Sequence, residues 1–311
     1  MIVWVRFLVS AVMARRRRLP EIAAGTRRIA AGSLLMELAS ETSKRAVLAG
    51  RADGVLNLAV RLWWLVSAAG LWLFAVYIAG LYGLGVVGGD MDRWNRVLPD
   101  GHGYVRGDAA GNAVLGVHLL MALIVTVGGV LQLVPWLRRV APGVHRWNGR
   151  LFLSVGMVAA VTGVFIALSR GAVAGNWMTA GNILNATLIL VCGAQAWRHA
   201  AAKRFAVHRR WALRAFVLIN AVWFYRLGMM AWFAIHQGPV GHTDAFDGPF
   251  DIFLAFGHVL VPLGGVELYL AARDRGGEGA RLAMAVGVLA GALVMGLGVA
   301  AAALGLWLPR L

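Results

Sequence analysis

Four histidines and three arginines carry the chemistry this sequence can offer. His118 and His258 lie inside apolar stretches, each about 7 to 9 residues, or roughly 10–14 Å of helix, from the same end of its stretch. His145 and His208 lie just before two other apolar stretches, at the opposite end. Two imidazoles at one depth on neighbouring helices can supply both axial ligands of a b-type haem. The expectation is therefore an outer haem b between His118 and His258 and an inner one between His145 and His208, serving electron transfer. Arg146 and Arg209 directly follow the inner histidines, and Arg226 lies eighteen residues, or five helical turns, beyond His208. Forked guanidinium hydrogen bonds suit these three to haem propionates or to other carboxylates. Gly116, Gly257, Gly264 and Gly265 near the outer histidines would admit a flat macrocycle between helices.

Each residue also has a plainer use. An H-R cluster at a helix end follows from the charge rule for membrane topology alone, and a histidine within a bundle often hydrogen-bonds across helices. Arg226 and the histidines equally suit a carrier that handles a proton or a small anion, and the chain also fits a non-catalytic membrane subunit or sensor.

The elements that must position these groups are membrane helices. Of 311 residues, 60% are hydrophobic and 14% charged, at a mean hydropathy of +0.71, which excludes a disordered chain, a disulfide scaffold and an ordinary cytosolic enzyme. The single cysteine, Cys192, can form no internal disulfide and supplies neither a thiolate zinc site nor a covalent haem attachment. Apolar runs long enough for a bilayer recur near 62–87, 111–137, 151–169, 178–197, 211–233, 250–271 and 282–308. No alternating ten-residue pattern suggests a barrel, so the fold class is all-α, a bundle of about seven transmembrane helices.

Of the 30 basic residues, 24 fall in four segments: up to Arg61, 138–150, 198–214 and 273–281. The intervening loops carry Asp90, Asp92, Asp100, Asp108, Asp244, Asp247 and Asp251. This asymmetry places the N-terminus in the cytoplasm. The formal charge of +16 is then a topology signal, and no nucleic-acid partner is expected. Trp136, Trp147, Trp197 and Trp211 mark the inner boundary, Trp177 and Trp232 the outer one.

The chain divides into a basic segment, 1–56, a six-helix core, 57–272, and a loop with an added helix, 273–311. The run from Met1 to Met13 precedes the cluster Arg15–Arg18, the wrong order for a cleaved signal. Residues 21–48 read as an interfacial helix on anionic lipid.

Among the remaining polar residues, Gln132, Asn182, Asn185, Thr187 and Asn220 are expected to bond between helices, Pro135 and Pro262 to kink or end spans, and Glu267 to pair with Arg273 or an arginine of a neighbouring loop. His102, His236, His242, Asp244, Asp247 and Asp251 read as solvated loop residues, since their spacing fits no metal motif. No phosphate loop, dinucleotide fingerprint, nucleophile elbow or H-E-x-x-H occurs.

The segments H-R-W-N-G-R-L-F from His145 and H-R-R-W-A-L-R-A-F from His208 are alike, which suggests either duplication of a two-helix unit or convergent interface chemistry. Together with H-x-x-x-A (His118–Ala122), G-x-x-Q (Gly129–Gln132), Pro142 and the later Arg226, they resemble an uncharacterised family of bacterial predicted multi-pass membrane proteins over roughly residues 60–270. Where related sequences often read H-R-x-W-M, Ala212 follows Trp211 here. The resemblance implies a bacterial inner membrane and no established activity. A looser similarity links the histidine-bearing bundle to transmembrane di-haem cytochromes b.

Overall fold

The computed structural model describes residues 50–97 and 101–311. Most of the basic N-terminal segment, residues 1–49, with its interfacial helix and anionic-lipid contact, therefore lies outside the described residues. So does Asp100. Among the described residues there are helices and no strands.

Among the described residues there are nine α-helices: α1 (Gly50–Gly88), α2 (Ala109–Gln132), α3 (Pro135–Val140), α4 (Pro142–Ser169), α5 (Gly175–Ala201), α6 (Phe205–Ile219), α7 (Ala221–His236), α8 (Pro249–Arg275) and α9 (Glu278–Ala302). Six are long and apolar enough to cross a membrane, and α6 with α7 completes a seventh span. The first and last apolar runs are longer than expected: α1 already includes Gly50, and α9 continues through a π turn towards Arg310.

Local chemistry sets the ends. Asp108 caps α2 by accepting the Gly111 N–H at 2.8 Å. Pro135 and Pro142 occupy first-turn positions of α3 and α4, where the missing N–H is harmless. Pro262, by contrast, lies within α8, which continues through it.

The expected span 211–233 is two helices bent by 55° at Asn220. No proline or glycine marks the break. Asn220 donates its side-chain N–H to Phe216 O at 2.8 Å, while Asn220 O accepts the N–H groups of Trp223 and Phe224. The asparagine thus bonds along its own chain instead of across to another helix, which corrects that expectation.

Helix α2 packs on α4, α4 on α5, α5 on α6 and α8, and α7 on α8 and α9. The helix α1 closes the bundle against α7 and α9: an added Cβ at Gly70 would lie 2.6 Å from Val299 and 2.8 Å from Trp223. At its first turns Leu56 and Ala59 pack with Ala285, and Asp53 pairs with Arg281 at 3.1 Å. The main core runs through Leu71, Phe74, Tyr77, Leu81, Phe152, Phe216, Leu218, Trp223 and Trp307.

The loops sort onto two ends. One carries the arginines of 138–150, 198–210 and 273–281 and is called here the basic end; the other carries Asp90, Asp92, Asp108, Asp244, Asp247 and Asp251 and is the acidic end. Ion pairs tie helices near the basic end. Glu267 of α8 accepts two hydrogen bonds from Arg214 of α6, at 2.5 and 2.7 Å, and Asp274 pairs with Arg210. The partner of Glu267 is therefore a helical arginine, Arg214, since Arg273 turns to Asn57 of α1 at 3.0 Å. At the acidic end, the short 3₁₀ helix Met91–Arg96 buries Trp94, whose indole donates to Tyr82 O at 3.1 Å and lies against Gly116.

Candidate functional site

Three of the expected site residues share one depth. His118 is nine residues beyond the start of α2, His258 nine beyond the start of α8, and Arg226 ten before the end of α7. At about 1.5 Å per residue, all three lie roughly 14–15 Å from the acidic end of the bundle.

Equal depth does not bring the two histidines into one cleft. His118 leans on α4, with Nδ1 3.0 Å from Thr162 Oγ1 and its ring against Gly163. His258 leans on α5 and α7, with its Cε1 3.6 Å from where a Cβ at Gly181 would stand and its ring edge-on to Tyr225 at 5.7 Å. The helix α7 turns neighbouring residues to both sides: Tyr225 meets His258, while Arg226 lies within electrostatic reach of His118. A macrocycle shared by His118 and His258 has no support in this arrangement. Two of the four glycines nominated to admit it face side chains instead. Gly116 accommodates Trp94, Gly257 faces Phe253, and Gly264 and Gly265 have nothing within 4 Å.

Arg226 extends from α7 over the Phe74 ring of α1, its Cζ 5.1 Å from the centroid. Its other contact is with Val222 O at 3.3 Å. Among the described residues no carboxylate pairs with it. Tyr77 and Tyr82 of α1, His118 of α2 and Tyr225 of α7 all feel its charge. A cation at this depth without an anionic partner is expensive, so the group of hydroxyls and imidazole around it is a functional candidate. The tyrosines were not read as candidates from the sequence. The signal was present in Tyr225, which directly precedes Arg226, and in Tyr77 and Tyr82, which interrupt an otherwise apolar run.

The histidines also share a hydrogen-bonding habit. His208 has Nδ1 2.8 Å from Ala196 O and His258 has Nδ1 2.9 Å from Leu254 O. Thr162 sends its own hydroxyl proton towards Val158 O or Ala159 O, so it can accept from His118 Nδ1. Against the carbonyls of Ala196 and Leu254 Nδ1 carries the proton and Nε2 is left as the acceptor, the orientation that suits a ligand or a proton acceptor, and the same tautomer is open to His118.

At the basic end, α4 and α6 meet at Phe152 and Phe216, whose rings stack with centroids 6.3 Å apart. His145 precedes the first by seven residues and His208 precedes the second by eight, and the two imidazoles lie within electrostatic reach of each other. His145 Nδ1 is buried without a hydrogen-bond partner. Gln132 bonds across from α2 to His145 O at 3.0 Å, as expected of it. Arg146 and Arg209 are both exposed. Trp136 and Trp147 are exposed too, at the basic end.

The loop histidine His242 is not merely solvated. Its Nδ1 lies 2.6 Å from Asp251 Oδ1, and Asp251 Oδ2 accepts the N–H groups of Thr243 and Gly248 at 3.0 and 3.2 Å. Asp251 is 3% exposed. The sequence signal was Gly248-Pro249-Phe250-Asp251, proline at the first helical position and an acid two residues later. Among the described residues no group of three or more histidine, cysteine or acidic side chains is arranged to hold a metal.

No curated protein and no solved structure matches this chain. Residues 115–243, from the middle of α2 to the loop beyond α7, match an uncharacterised multi-pass membrane family described as "Predicted membrane protein (DUF2306)", a stretch that holds His118, His145, His208 and Arg226 and leaves His258 outside.

Proposed function

We propose that this chain is a carrier of a small anionic solute, a carboxylate or an oxyanion, in a bacterial inner membrane. The basic end faces the cytoplasm by the positive-inside rule, and the solute enters from the acidic end. The observation that carries the reading is Arg226: a guanidinium about halfway through the bundle, set over Phe74 and within electrostatic reach of Tyr77, Tyr82 and His118, with no carboxylate partner among the described residues. An incoming anion would supply the missing charge through a forked hydrogen bond. The broken span supports the same use, because carriers commonly interrupt a helix near the solute.

The test is uptake of labelled acetate, lactate and phosphate into proteoliposomes. The expected result is uptake of at least one of them that falls at least tenfold in Arg226→Ala and partly returns in Arg226→Lys, on the order of the loss of one charged hydrogen-bonding partner. Uptake unchanged in Arg226→Ala overturns the proposal.

A second reading, electron transfer through haem b, is favoured by one observation: the unpartnered Nδ1 of His145, in electrostatic reach of His208 on a parallel helix. A b-type haem there would pass one electron at a time, with Arg146 or Arg209 available to propionates. Expression with ample haem should then give a Soret band that is lost in both His145→Ala and His208→Ala. A colourless protein would end it.

A further inference from the structure

On the other side of α7 from Arg226, we infer a proton-binding site at His258, loaded from the acidic end through His242, Asp251 and Tyr225. Its use rests on the carrier reading, in which the proton accompanies the solute; the protonation itself does not.

His258 is 2% exposed, and its Nε2 is buried without a hydrogen-bond partner. A polar atom left so in a native core calls for a reason, since a bare lone pair there costs about 1–3 kcal/mol. The surroundings repeat the pattern. Asn185 Oδ1, one turn along α5 from Gly181, is likewise buried and unpartnered. Pro262, four residues beyond His258, has no N–H for the His258 carbonyl. Acceptors thus gather between α5 and α8 with no matching donors. A proton on Nε2 makes His258 a donor in this donor-poor seam.

The groups facing the site come from three elements. Helix α7 presents Tyr225, edge-on to the ring. Helix α5 presents Gly181, with Asn185 one turn further along it, and neither titrates. On α8 itself, Asp251 lies seven residues towards the acidic end, two turns or about 10 Å away, and within electrostatic reach of Tyr225. Asp251 in turn holds His242, whose side chain is 15% exposed and so meets water. His242, Asp251 and Tyr225 thereby form a graded series from the surface to His258. In the protonation step His258 Nε2 takes up the proton and Nδ1–H stays on Leu254 O, with the carboxylate of Asp251 two turns away on the same helix.

The experiment is a titration of the full chain in nanodiscs with isotope-labelled histidine, followed by ring nitrogen resonances between about pH 4 and pH 9. His258→Gln assigns the signal. If that variant does not fold, Tyr225→Leu assigns it instead, because it removes the aromatic ring packed on His258 and so shifts that residue's signals. The expected result is a neutral ring protonated at Nδ1 that becomes imidazolium as pH falls, with a midpoint about one unit lower in Asp251→Asn, where the stabilising negative charge is gone. A ring that stays neutral throughout, or a midpoint indifferent to Asp251→Asn, overturns the inference. Either result leaves the Arg226 reading standing. Uptake insensitive to Arg226→Ala with a normal His258 titration would remove the carrier and leave the proton site.

Discussion

Tyr225 and Arg226 are consecutive on α7 yet serve opposite seams: the tyrosine ring stands edge-on to His258 of α8, while the guanidinium crosses over Phe74 of α1. One helix therefore separates two polar sites that the sequence had placed at a single height. Whatever occupies the one site is a single residue along the backbone from the other.

The close approach of α5 to α8 depends on Gly181. A Cβ there would meet Ala255 O at 1.9 Å, and on the far side of the bundle a Cβ at Gly298 of α9 would meet Leu227 O at 2.5 Å. Gly181→Ala and Gly298→Ala should each lower stability by about 1–3 kcal/mol, the usual penalty of overpacking. Gly264→Ala, with nothing within 4 Å, should leave it unchanged or slightly raised. Thermal denaturation in detergent checks all three.

Arg214 and Glu267 tie α6 to α8. The arginine side chain is 16% exposed, so Glu267→Ala leaves a largely enclosed guanidinium without its acceptor. The expected loss is about 1–3 kcal/mol, and the double variant Arg214→Met with Glu267→Leu should lose less than Glu267→Ala alone. A double variant at least as damaged as the single would refute this account of the pair.

Stability should depend on acid at Asp108. The Arg170 guanidinium beside it, helped by the Gly111 N–H, holds its carboxyl below the ordinary range. A depressed value in the folded state gives stabilisation that is full above the ordinary carboxylate pKa, about 3.9, and is lost as pH falls through the lower folded value. The acid side of a melting-temperature profile should therefore be shallower in Asp108→Asn than in the parent, with lower stability at neutral pH. Parallel profiles would show that Asp108 contributes nothing.

Topology can be read with thiol reagents. Cys192 is buried and should resist maleimide in the folded protein. In a Cys192→Ala background, Ala202→Cys at the basic end and Asp244→Cys at the acidic end should label from opposite faces, the second from outside the cell. Labelling of both from one side contradicts the bundle.

The spans were legible because roughly twenty apolar residues announce themselves by composition alone. Heights were legible too, since counting along a helix measures depth. Facing was not. In lipid both the interior and the surroundings of a helix are apolar, so hydropathy around the axis says little about which way His118 or His258 turns. The bend at Asn220 was hidden for another reason: asparagine ends a helix by turning its amide back on the chain, and no proline or glycine advertises it. The buried role of Asp251 was masked by a loop full of similar acids.

That joint at Asn220 divides the fifth crossing into halves with unlike moorings. The half before Asn220 is tied to α8 by Arg210–Asp274 and Arg214–Glu267. The half after it is seated by glycine contacts and aromatic rings, at Gly298 and at Trp223 against Gly70. A force applied at Arg226 would thus bear first on the arm beyond Asn220, which rests on glycine and aromatic contacts, and only then on the base held by ion pairs.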